Sequence, residues 1–336
     1  MSGAGRTRAR LLGVWAAVAA VACAAGCAAA PSGTAAGTGA AQGSSDPRQS
    51  AAAEGGAAAP YLHDGCDAPS LIAHRGSAGN GRNLPENTWQ AELAAAASGA
   101  TYLNLDVRWT ADAVPVVLHD PTVERTTSEA RPGIAITALT AAQYTALSAR
   151  GYGGDTARGP VDPGVHPDTL AEMLARLGPS GRPIILQMEA DPLQPREAGH
   201  SASRDLTGLA QVIEASGYSA RVVVAGWTLA DLRAFHRVAP YVTLAYLFET
   251  IGARSYPSAA ELVAAGTRIL YLDYRGVTRA RTAAWHSSGV KVWAWTPATR
   301  TQWEQLRNDG VDAIATNWAA AYLAWAPHPC APGAAS

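Results

Sequence analysis

Short runs of apolar and β-branched residues recur along the chain, and this recurrence constrains the fold more than any other feature. The runs are Leu71–His74, Tyr102–Val107, Val114–His119, Pro183–Glu189, Arg221–Gly226, Val242–Phe248, Ile269–Tyr274, Lys291–Thr296 and Ala313–Thr316. Most of them are separated by Ala- and Leu-rich amphipathic stretches typical of helices, such as 86–98, 169–177, 206–216 and 228–237. Strands that alternate with helices in this way predict a parallel sheet.

The length of this region favours a closed barrel. About 266 residues run from Tyr61 to Ala326, close to the ~250 residues of a typical (β/α)8 barrel. We therefore expect an α/β fold, a TIM (β/α)8 barrel in a single domain spanning residues 61–336. Nine runs are one too many, and the link from Val107 to Val114 is too short for a helix, so Val114–His119 is expected to lie outside the barrel or to pair irregularly. Residues 121–167 are rich in Gly and Pro and predict a small, loop-rich insertion over the barrel mouth.

Titratable residues follow several of these runs. His74-Arg75-Gly76 comes directly after Leu71-Ile72-Ala73, and His119-Asp120 ends the run that begins at Val114. A parallel α/β barrel builds its active site at the carboxyl ends of its strands. Two imidazoles can divide the roles of base and acid near neutral pH, and an arginine fork suits an anion. The pattern predicts acid/base chemistry on an anionic substrate such as a phosphodiester, with the two roles not yet assigned to either histidine.

Residues 71–127 resemble the opening of the glycerophosphodiester phosphodiesterase family. The matching segments are His74-Arg75-Gly76, Pro85-Glu86-Asn87-Thr88, Asn104-x-Asp106, His119-Asp120 and Arg125-Thr126-Thr127. Further along the chain, residues 168–174, 293–296 and 310–316 resemble later segments of the same family. The resemblance implies an enzyme that hydrolyses glycerophosphodiesters to glycerol 3-phosphate and an alcohol, with His74 and His119 as the catalytic residues. It also implies a TIM barrel with an insertion after the third strand.

Three further residues are candidates for substrate contact. Arg75 suits the phosphate, because its planar fork can donate two hydrogen bonds to nonbridging oxygens, although a surface salt bridge is the alternative. Glu86 can take part in the hydrogen bonding of the site or simply favour the dipole of the helix that follows. Trp293 lies in a segment that matches a family landmark and is expected to line a glycerol or head-group pocket, with a role in the core as the alternative.

The resemblance implies a divalent cation, Mg²⁺ or Ca²⁺, held by a Glu-x-Asp pair and by a glutamate on a later strand. Asp106 and Glu189 match two of these ligands, but Asn104 stands in place of the first glutamate and Asp191 in place of a lysine. Residues two apart on a strand share a face, so Asn104 with Asp106, and Glu189 with Asp191, can each point into the barrel. We expect Asp191 to restore the missing carboxylate; the alternative is that metal binding has been lost.

The N-terminus predicts export. Arg6, Arg8 and Arg10 precede an apolar stretch, residues 11–26, that is short for a membrane span of ~20 residues. Residues 1–26 are interpreted as a signal peptide, and Ala24-Ala25-Gly26-Cys27 resembles a bacterial lipoprotein cleavage site that would leave Cys27 lipidated at a membrane surface; plain secretion is the alternative. Residues 27–60 are mostly small or polar and predict a disordered tether.

Processing at Cys27 would leave two cysteines, Cys66 and Cys330, which flank the barrel region. A closed barrel brings the start of its first strand close to the end of its last helix, so a disulfide between them is expected in an oxidising compartment; two free thiols are the alternative.

Charge and motifs exclude several other functions. Removal of residues 1–26 takes away three arginines and no acidic residue, so the net charge changes from −1 to −4, and no cluster of basic residues predicts nucleic-acid binding. Neither a Gly-x-Ser-x-Gly elbow nor a Walker loop occurs. Two alternatives stay open beside the phosphodiesterase: a related phospholipase acting on lysolipid or phospholipid, and a catalytically impaired lipoprotein that only binds its ligand.

Overall fold

The computed structural model describes residues 66–76, 84–189, 202–251, 253 and 255–332, with the backbone alone for 202–205. Eleven strands occur in this part of the chain: β1 (Ser70–His74), β2 (Tyr102–Trp109), β3 (Pro115–Val117), β4 (Ala149–Tyr152), β5 (Arg158–Asp162), β6 (Ile184–Met188), β7 (Val222–Gly226), β8 (Thr243–Phe248), β9 (Ile269–Asp273), β10 (Lys291–Trp295) and β11 (Ala313–Thr316). The signal peptide, the tether, Cys27 and Asp191 lie outside the described residues.

Eight parallel strands close into a barrel, which confirms the predicted fold. Their order is β1, β11, β10, β9, β8, β7, β6, β2, and β2 pairs with β1 through Ile72 with Tyr102 and His74 with Asn104. The irregular strand is the expected one: β3 pairs antiparallel with β2, with Val107 opposite Val117, and lies outside the barrel. Because the connection from β2 to β3 holds only a tight turn, β3 can only return alongside its neighbour.

Helices follow most of the barrel strands. They are α1 (Trp89–Ser98), α2 (Ala141–Thr145), α3 (Leu170–Leu177), α4 (Ala202–Ala215), α5 (Leu229–Val238), α6 (Ala259–Ala264), α7 (Arg279–His286), α8 (Arg300–Asp309) and α9 (Ala319–Trp325). Several begin at a Thr or Ser whose hydroxyl accepts a backbone N–H, as Thr88 does at α1 and Thr169 at α3. The predicted helices at 86–98, 169–177, 206–216 and 228–237 correspond to α1, α3, α4 and α5.

Side-chain alternation along the strands divides the core into two layers. Leu71 and Leu103 point outward and pack under the helices, whereas Ile72 and Tyr102 point into the barrel. Trp293 belongs to the inner layer, 5.2 Å from the ring of Tyr102 between ring centroids. The barrel interior is therefore filled with side chains.

The insertion between β3 and α3 has more structure than its composition predicts. It contains α2 and the β4–β5 hairpin, and it has a small core of its own made by Val116, Leu118, Val123, Ile136 and Tyr144. The Tyr144 hydroxyl donates a hydrogen bond to the Val117 carbonyl oxygen, which ties this core to β3. Alternation is too weak in the Gly-rich stretch 149–162 for the hairpin to be read from sequence.

At the end of the barrel opposite the insertion, a disulfide bond joins Cys66 to Cys330, as expected. The Ser70 hydroxyl donates to the Cys330 carbonyl oxygen, and the Cys330 N–H donates to the Ala68 carbonyl oxygen. The first strand and the C-terminal segment are thus joined where the chain enters and leaves the barrel. Within the described residues, every helix is too short or too polar to cross a bilayer.

Candidate active site

The backbone after β1 turns sharply and aims Arg75 at the barrel mouth. Arg75 has φ 52° and Gly76 has φ 76°, so two consecutive residues adopt the left-handed region. A Cβ at Gly76 would lie 2.6 Å from the Ala91 Cβ, because the turn packs directly against α1. Glycine is required at this position both by the backbone angle and by the close approach.

Asn87 fixes the next segment to the same site. It has φ 57°, which asparagine tolerates better than most residues, and its amide nitrogen donates to Asp106 Oδ2 at 2.8 Å. Its amide oxygen accepts the Asp106 backbone N–H at 3.1 Å, and its own N–H donates to the Arg75 carbonyl oxygen. Asn87 therefore joins the ends of β1 and β2.

Arg75 is buried among carboxylates. Its Nη1 donates to Glu86 Oε1 at 3.2 Å, and its Nε lies 3.1 Å from Asp106 Oδ2. A third carboxylate, that of Asp155 in the insertion, is 3.9 Å from Nη1. Burial acts to raise the pKa of Asp106, but the Arg75 guanidinium, together with the two histidines and the hydrogen bond from Asn87, lowers it. Arg75 is thus held at the barrel mouth by buried ion pairs and not by the surface salt bridge considered as the alternative.

His74 is oriented by Asn317, which follows β11. Asn317 Oδ1 lies 2.7 Å from His74 Nδ1 and accepts its proton, while the Asn317 amide nitrogen donates to the Tyr152 hydroxyl at 3.3 Å. This bond leaves Nε2 as the unprotonated nitrogen of the neutral ring. Burial, followed by the charge of Arg75, lowers the pKa of His74 to about 4. His74 is therefore neutral near pH 7.

His119 has an acidic partner instead. Its Nδ1 lies 2.8 Å from Asp120 Oδ1, and Arg125 holds Asp120 and Glu86 together by bonding to both carboxylates. Burial and the charge of Arg75 act to lower the pKa of His119. The hydrogen bond to Asp120 and the charges of nearby carboxylates outweigh them, so the pKa is raised.

The two predicted catalytic histidines share one electrostatic environment. The charge of His119 contributes to lowering the pKa of His74, and both rings interact with Arg75 and Asp106. Their partners differ, however, since His74 faces an amide oxygen and His119 faces a carboxylate. One ring is thus held neutral and the other is favoured in its charged form.

A set of oxygen atoms lies beside this pair. Asp106 and Glu189 are both buried, and burial, reinforced by the charge of Asp106, raises the pKa of Glu189. Asn104 is also buried in the barrel, and neither its amide oxygen nor its amide nitrogen has a hydrogen-bond partner, as is also true of Asp106 Oδ1. Buried polar atoms without partners are rare and call for a ligand or water.

These donors fit a hard divalent cation, which prefers carboxylate and amide oxygens. Asp106, Glu189 and Asn104 are the residues that would hold it. Among the described residues no cluster of three His, Cys, Asp or Glu side chains is arranged to bind a metal, so the amide oxygen of Asn104 would have to serve as a ligand.

The two tryptophans of β10 lie at different depths in the barrel. Trp293 packs edge-on against Tyr271 inside the barrel, at 5.7 Å between ring centroids, and is 3 % exposed. This placement favours the core role over the predicted substrate contact. Trp295, two residues further along β10, is only partly buried and meets Trp227 edge-on at 5.7 Å. Trp295 is the better candidate for a residue that lines the mouth.

Sequence reasoning did not assign roles to Asn87, Asp120, Arg125 or Asn317. The first three lie inside the motifs that resemble the family. An asparagine before a helix-capping threonine is a pattern that could have predicted the hydrogen bonds by which Asn87 joins β1 to β2. Nothing local in the sequence marks Asn317 as the partner of His74.

Comparisons with known proteins agree with this geometry. Residues 74–320 match the model of the glycerophosphoryl diester phosphodiesterase family. A glycerophosphodiester phosphodiesterase from Caldanaerobacter subterraneus is 26% identical over 248 residues, covering 74% of this chain and 93% of that protein. Human glycerophosphodiester phosphodiesterase 1 is 49% identical over 61 residues, and this match spans only 18% of each chain.

Solved structures share the fold. A phosphodiesterase from Oleispira antarctica, solved with the product sn-glycerol-3-phosphate, superimposes with a TM-score of 0.63 at 21% identity, covering 77% of this chain and 96% of that one. The family model extends from the first predicted catalytic histidine to the last helix, so this chain belongs to the glycerophosphoryl diester phosphodiesterase family.

Proposed function

We propose that this protein hydrolyses glycerophosphodiesters to glycerol 3-phosphate and an alcohol by acid/base catalysis with His74 and His119. One observation carries the proposal: two imidazoles lie near one buried arginine, and one is hydrogen-bonded to an amide oxygen while the other is hydrogen-bonded to a carboxylate. Family membership supports the reaction class, and the product in the Oleispira antarctica structure supports a small-molecule substrate for that relative.

His74 acts as the general base. Asn317 accepts the proton on Nδ1, so the lone pair of Nε2 is available to take a proton from the attacking water. A low pKa keeps the ring unprotonated at neutral pH, which a base requires.

His119 acts as the general acid. The Asp120 carboxylate stabilises the imidazolium, so Nε2 carries a proton that can be transferred to the departing alkoxide. After the reaction the proton gained by His74 and the proton lost by His119 are exchanged with solvent, which restores the starting state.

Arg75 binds the phosphate and stabilises the charge that grows on its nonbridging oxygens. Glu86 keeps this guanidinium in place, since it bonds to Arg75 on one side and to Arg125 on the other. Glu86 is thus a positioning residue. A bound Mg²⁺ or Ca²⁺ would supply additional positive charge to the phosphate. Asp106, Glu189 and Asn104 are proposed as its ligands, with Asp191 as a further candidate beyond the described residues.

We also propose that the protein is exported and tethered to a membrane through a lipidated Cys27. The arginines and apolar stretch at the N-terminus and the small residues before Cys27 support this proposal. Cell fractionation with mass spectrometry of the mature N-terminus tests it. A diacylglyceryl group on Cys27 is expected, and a mature protein with an unmodified N-terminus in the medium would exclude lipidation.

The decisive experiment measures release of glycerol 3-phosphate from glycerophosphodiesters, with and without a chelator, for the native protein and for His74→Ala and His119→Ala. Each substitution is expected to lower turnover by at least ~10²-fold, the lower range for acid/base catalysis. His328→Ala is the matched control, because His328 is exposed and bonds to Asp67 near the disulfide. Full activity in both site variants would refute the mechanism.

The same assay separates the alternatives. Activity on lysophosphatidylcholine but not on glycerophosphocholine would favour the phospholipase. An inactive native protein that still binds glycerophosphodiesters would favour a binding lipoprotein, for which the replacement of a carboxylate by Asn104 is the specific observation.

A further inference from the structure

We propose that the site selects glycerophosphodiesters whose alcohol carries a positive charge, such as ethanolamine or choline, and that Asp155 of the insertion is the residue that makes this selection. The inference rests on the proposed function, because it takes the phosphate to be bound at Arg75. It adds a head-group preference and a specificity-determining residue, and this residue lies outside the motifs described in the sequence analysis.

Asp155 stands at the edge of the phosphate site. Its Oδ1 is 3.9 Å from Arg75 Nη1, and its side chain is 63% exposed, whereas the other carboxylates that meet Arg75 are buried. The loop that carries it, residues 153–157 between β4 and β5, is fixed by Arg125, whose Nη1 donates to the Gly154 carbonyl oxygen at 3.3 Å. Asp155 is therefore a carboxylate that both borders the bound phosphate and remains open to the solvent-facing part of the substrate.

Tyr152 holds this carboxylate in place. Its hydroxyl donates to Asp155 Oδ1 at 3.1 Å and accepts from the Asn317 amide nitrogen at 3.3 Å. Burial, followed by the charge of Asp155, raises the pKa of Tyr152 to about 12, so the phenol keeps the proton that it donates. The loop is thus connected through Asn317 to His74, and the position of Asp155 is fixed relative to the catalytic base.

The charges around the mouth favour a cation at this position. The other acidic groups are already engaged, since Arg125 bonds to Glu86 and Asp120, and Arg108 lies 4.0 Å from Glu189. Three carboxylates, with Asp155 the most distant, lie around the single guanidinium of Arg75. Asp155 therefore adds negative charge at the solvent-exposed rim of the barrel mouth. Because the Asp155 side chain is largely exposed, solvent and salt weaken its attraction for a cation without removing it. The rim consequently attracts a cation and repels a second anion.

Substrate chemistry matches this arrangement. In ethanolamine and choline diesters the nitrogen is two carbons from the phosphate ester oxygen, so a phosphate on Arg75 places the cation near the Asp155 carboxylate. A quaternary ammonium can also lie against the Tyr152 ring. A glycerol head group offers no charge, whereas a serine head group carries an ammonium at the same distance but also a carboxylate that Asp155 repels. The choline and ethanolamine diesters are therefore expected to be preferred over both the glycerol and the serine diester.

The test compares kcat/KM for glycerophosphocholine, glycerophosphoethanolamine, glycerophosphoglycerol and glycerophosphoserine in the native protein, Asp155→Asn and Asp155→Lys. Asp155→Asn is expected to reduce the choline-to-glycerol ratio of kcat/KM by about two- to fivefold, consistent with a partly exposed charge pair. Asp155→Lys is expected to invert the preference between choline and serine. Asp162→Asn is the matched control, because Asp162 is an exposed carboxylate at the base of the same hairpin.

Outcomes for the two proposals are distinct. If the native protein hydrolyses glycerophosphodiesters but the choline-to-glycerol ratio is the same in the native protein and both Asp155 variants, the head-group inference is overturned and the proposed function stands. If the native protein hydrolyses none of the four substrates, the proposed function itself fails. A choline-to-glycerol ratio that decreases in Asp155→Asn and also decreases with added salt in the native protein supports an electrostatic origin.

Discussion

His119 and Asp120 form a hydrogen-bonded pair, with 2.8 Å between Nδ1 and Oδ1, although they are adjacent in sequence. The pair is possible because the strand ends before it, at Val117, so both side chains can turn to the same side of the barrel mouth. Asp120 is itself fixed by Arg125, which belongs to the insertion. The protonation of His119 therefore depends on a contact between a strand end and the segment that follows it.

Asp120→Asn should shift the pH dependence of activity. The general acid must be protonated, so kcat/KM decreases as the pH rises through the pKa of His119. Loss of the Asp120 charge lowers this pKa, and the basic limb of the profile should move to lower pH by about one unit. Profiles of kcat/KM between pH 5 and 10 measure the shift. Asp162→Asn, which changes an exposed carboxylate of the insertion, should leave the profile unchanged, and an unmoved basic limb in Asp120→Asn would contradict the assigned acid.

Asn104→Glu should strengthen cation binding. The Asn104 amide is buried, has no hydrogen-bond partner and lies beside Asp106 on the inner face of β2, so a glutamate there would add a carboxylate ligand. We expect Mg²⁺ and Ca²⁺ to bind about tenfold or more tightly in isothermal titration calorimetry. Asn308→Asp adds the same charge on the exposed side of α8 and is the control. Equal affinities in all three proteins would exclude Asn104 from the ion site, and Asn104→Asp provides a smaller substitution for the case in which glutamate prevents folding.

Glu92→Gln should change how stability depends on pH. Glu92 is fully buried in α1, and burial, with the charge of Asp106, raises its pKa well above the ordinary value. The native carboxyl contributes its full stability only below the unfolded-state pKa and loses it as the pH rises towards the folded-state pKa. Glu92→Gln does not lose this contribution. Its ratio of folded to unfolded protein, divided by the same ratio for the native protein, should therefore increase about tenfold for each pH unit above pH 4.5.

Urea unfolding of both proteins at pH 5, 6 and 7 measures this difference. Glu214→Gln, an exposed residue of α4, is the control, and its free energy of unfolding should stay at a constant offset from that of the native protein. A constant offset for Glu92→Gln as well would mean that Glu92 is ionised in the folded state.

Removal of the disulfide should destabilise the barrel without changing its chemistry. Cys66 and Cys330 are separated by 264 positions, and loop-closure entropy for so long a loop predicts a loss of roughly 5–6 kcal/mol in the free energy of unfolding. The double variant Cys66→Ser/Cys330→Ser should show this loss in denaturant unfolding while keeping its kcat/KM, because the bond lies at the end of the barrel opposite the mouth. Unchanged stability would indicate that hydrogen bonds around Ser70 suffice to hold the two termini.

Local pattern determined most of the fold. Short apolar runs separated by amphipathic helical stretches identified the eight barrel strands, and the short link after Val107 correctly excluded Val114–His119 from the barrel. Pattern failed where local composition was uninformative, as in the Gly-rich hairpin of the insertion. It also could not tell which of two inward-facing tryptophans reaches the mouth, because Trp293 and Trp295 point to the same side and differ only in depth.

The sequence by itself predicted the barrel, the disulfide partners and the location of His74, Arg75, Asp106 and His119 in or just after strands, since each of these follows from residues close together in the chain or from closure of the sheet. Only the tertiary structure decided which histidine is paired with an amide and which with a carboxylate. Asn317 is 243 positions from His74, and Tyr152 and Asp155 come from an insertion with no pattern of its own. Such contacts depend on where the barrel and the insertion place distant backbone segments, and no local preference encodes them.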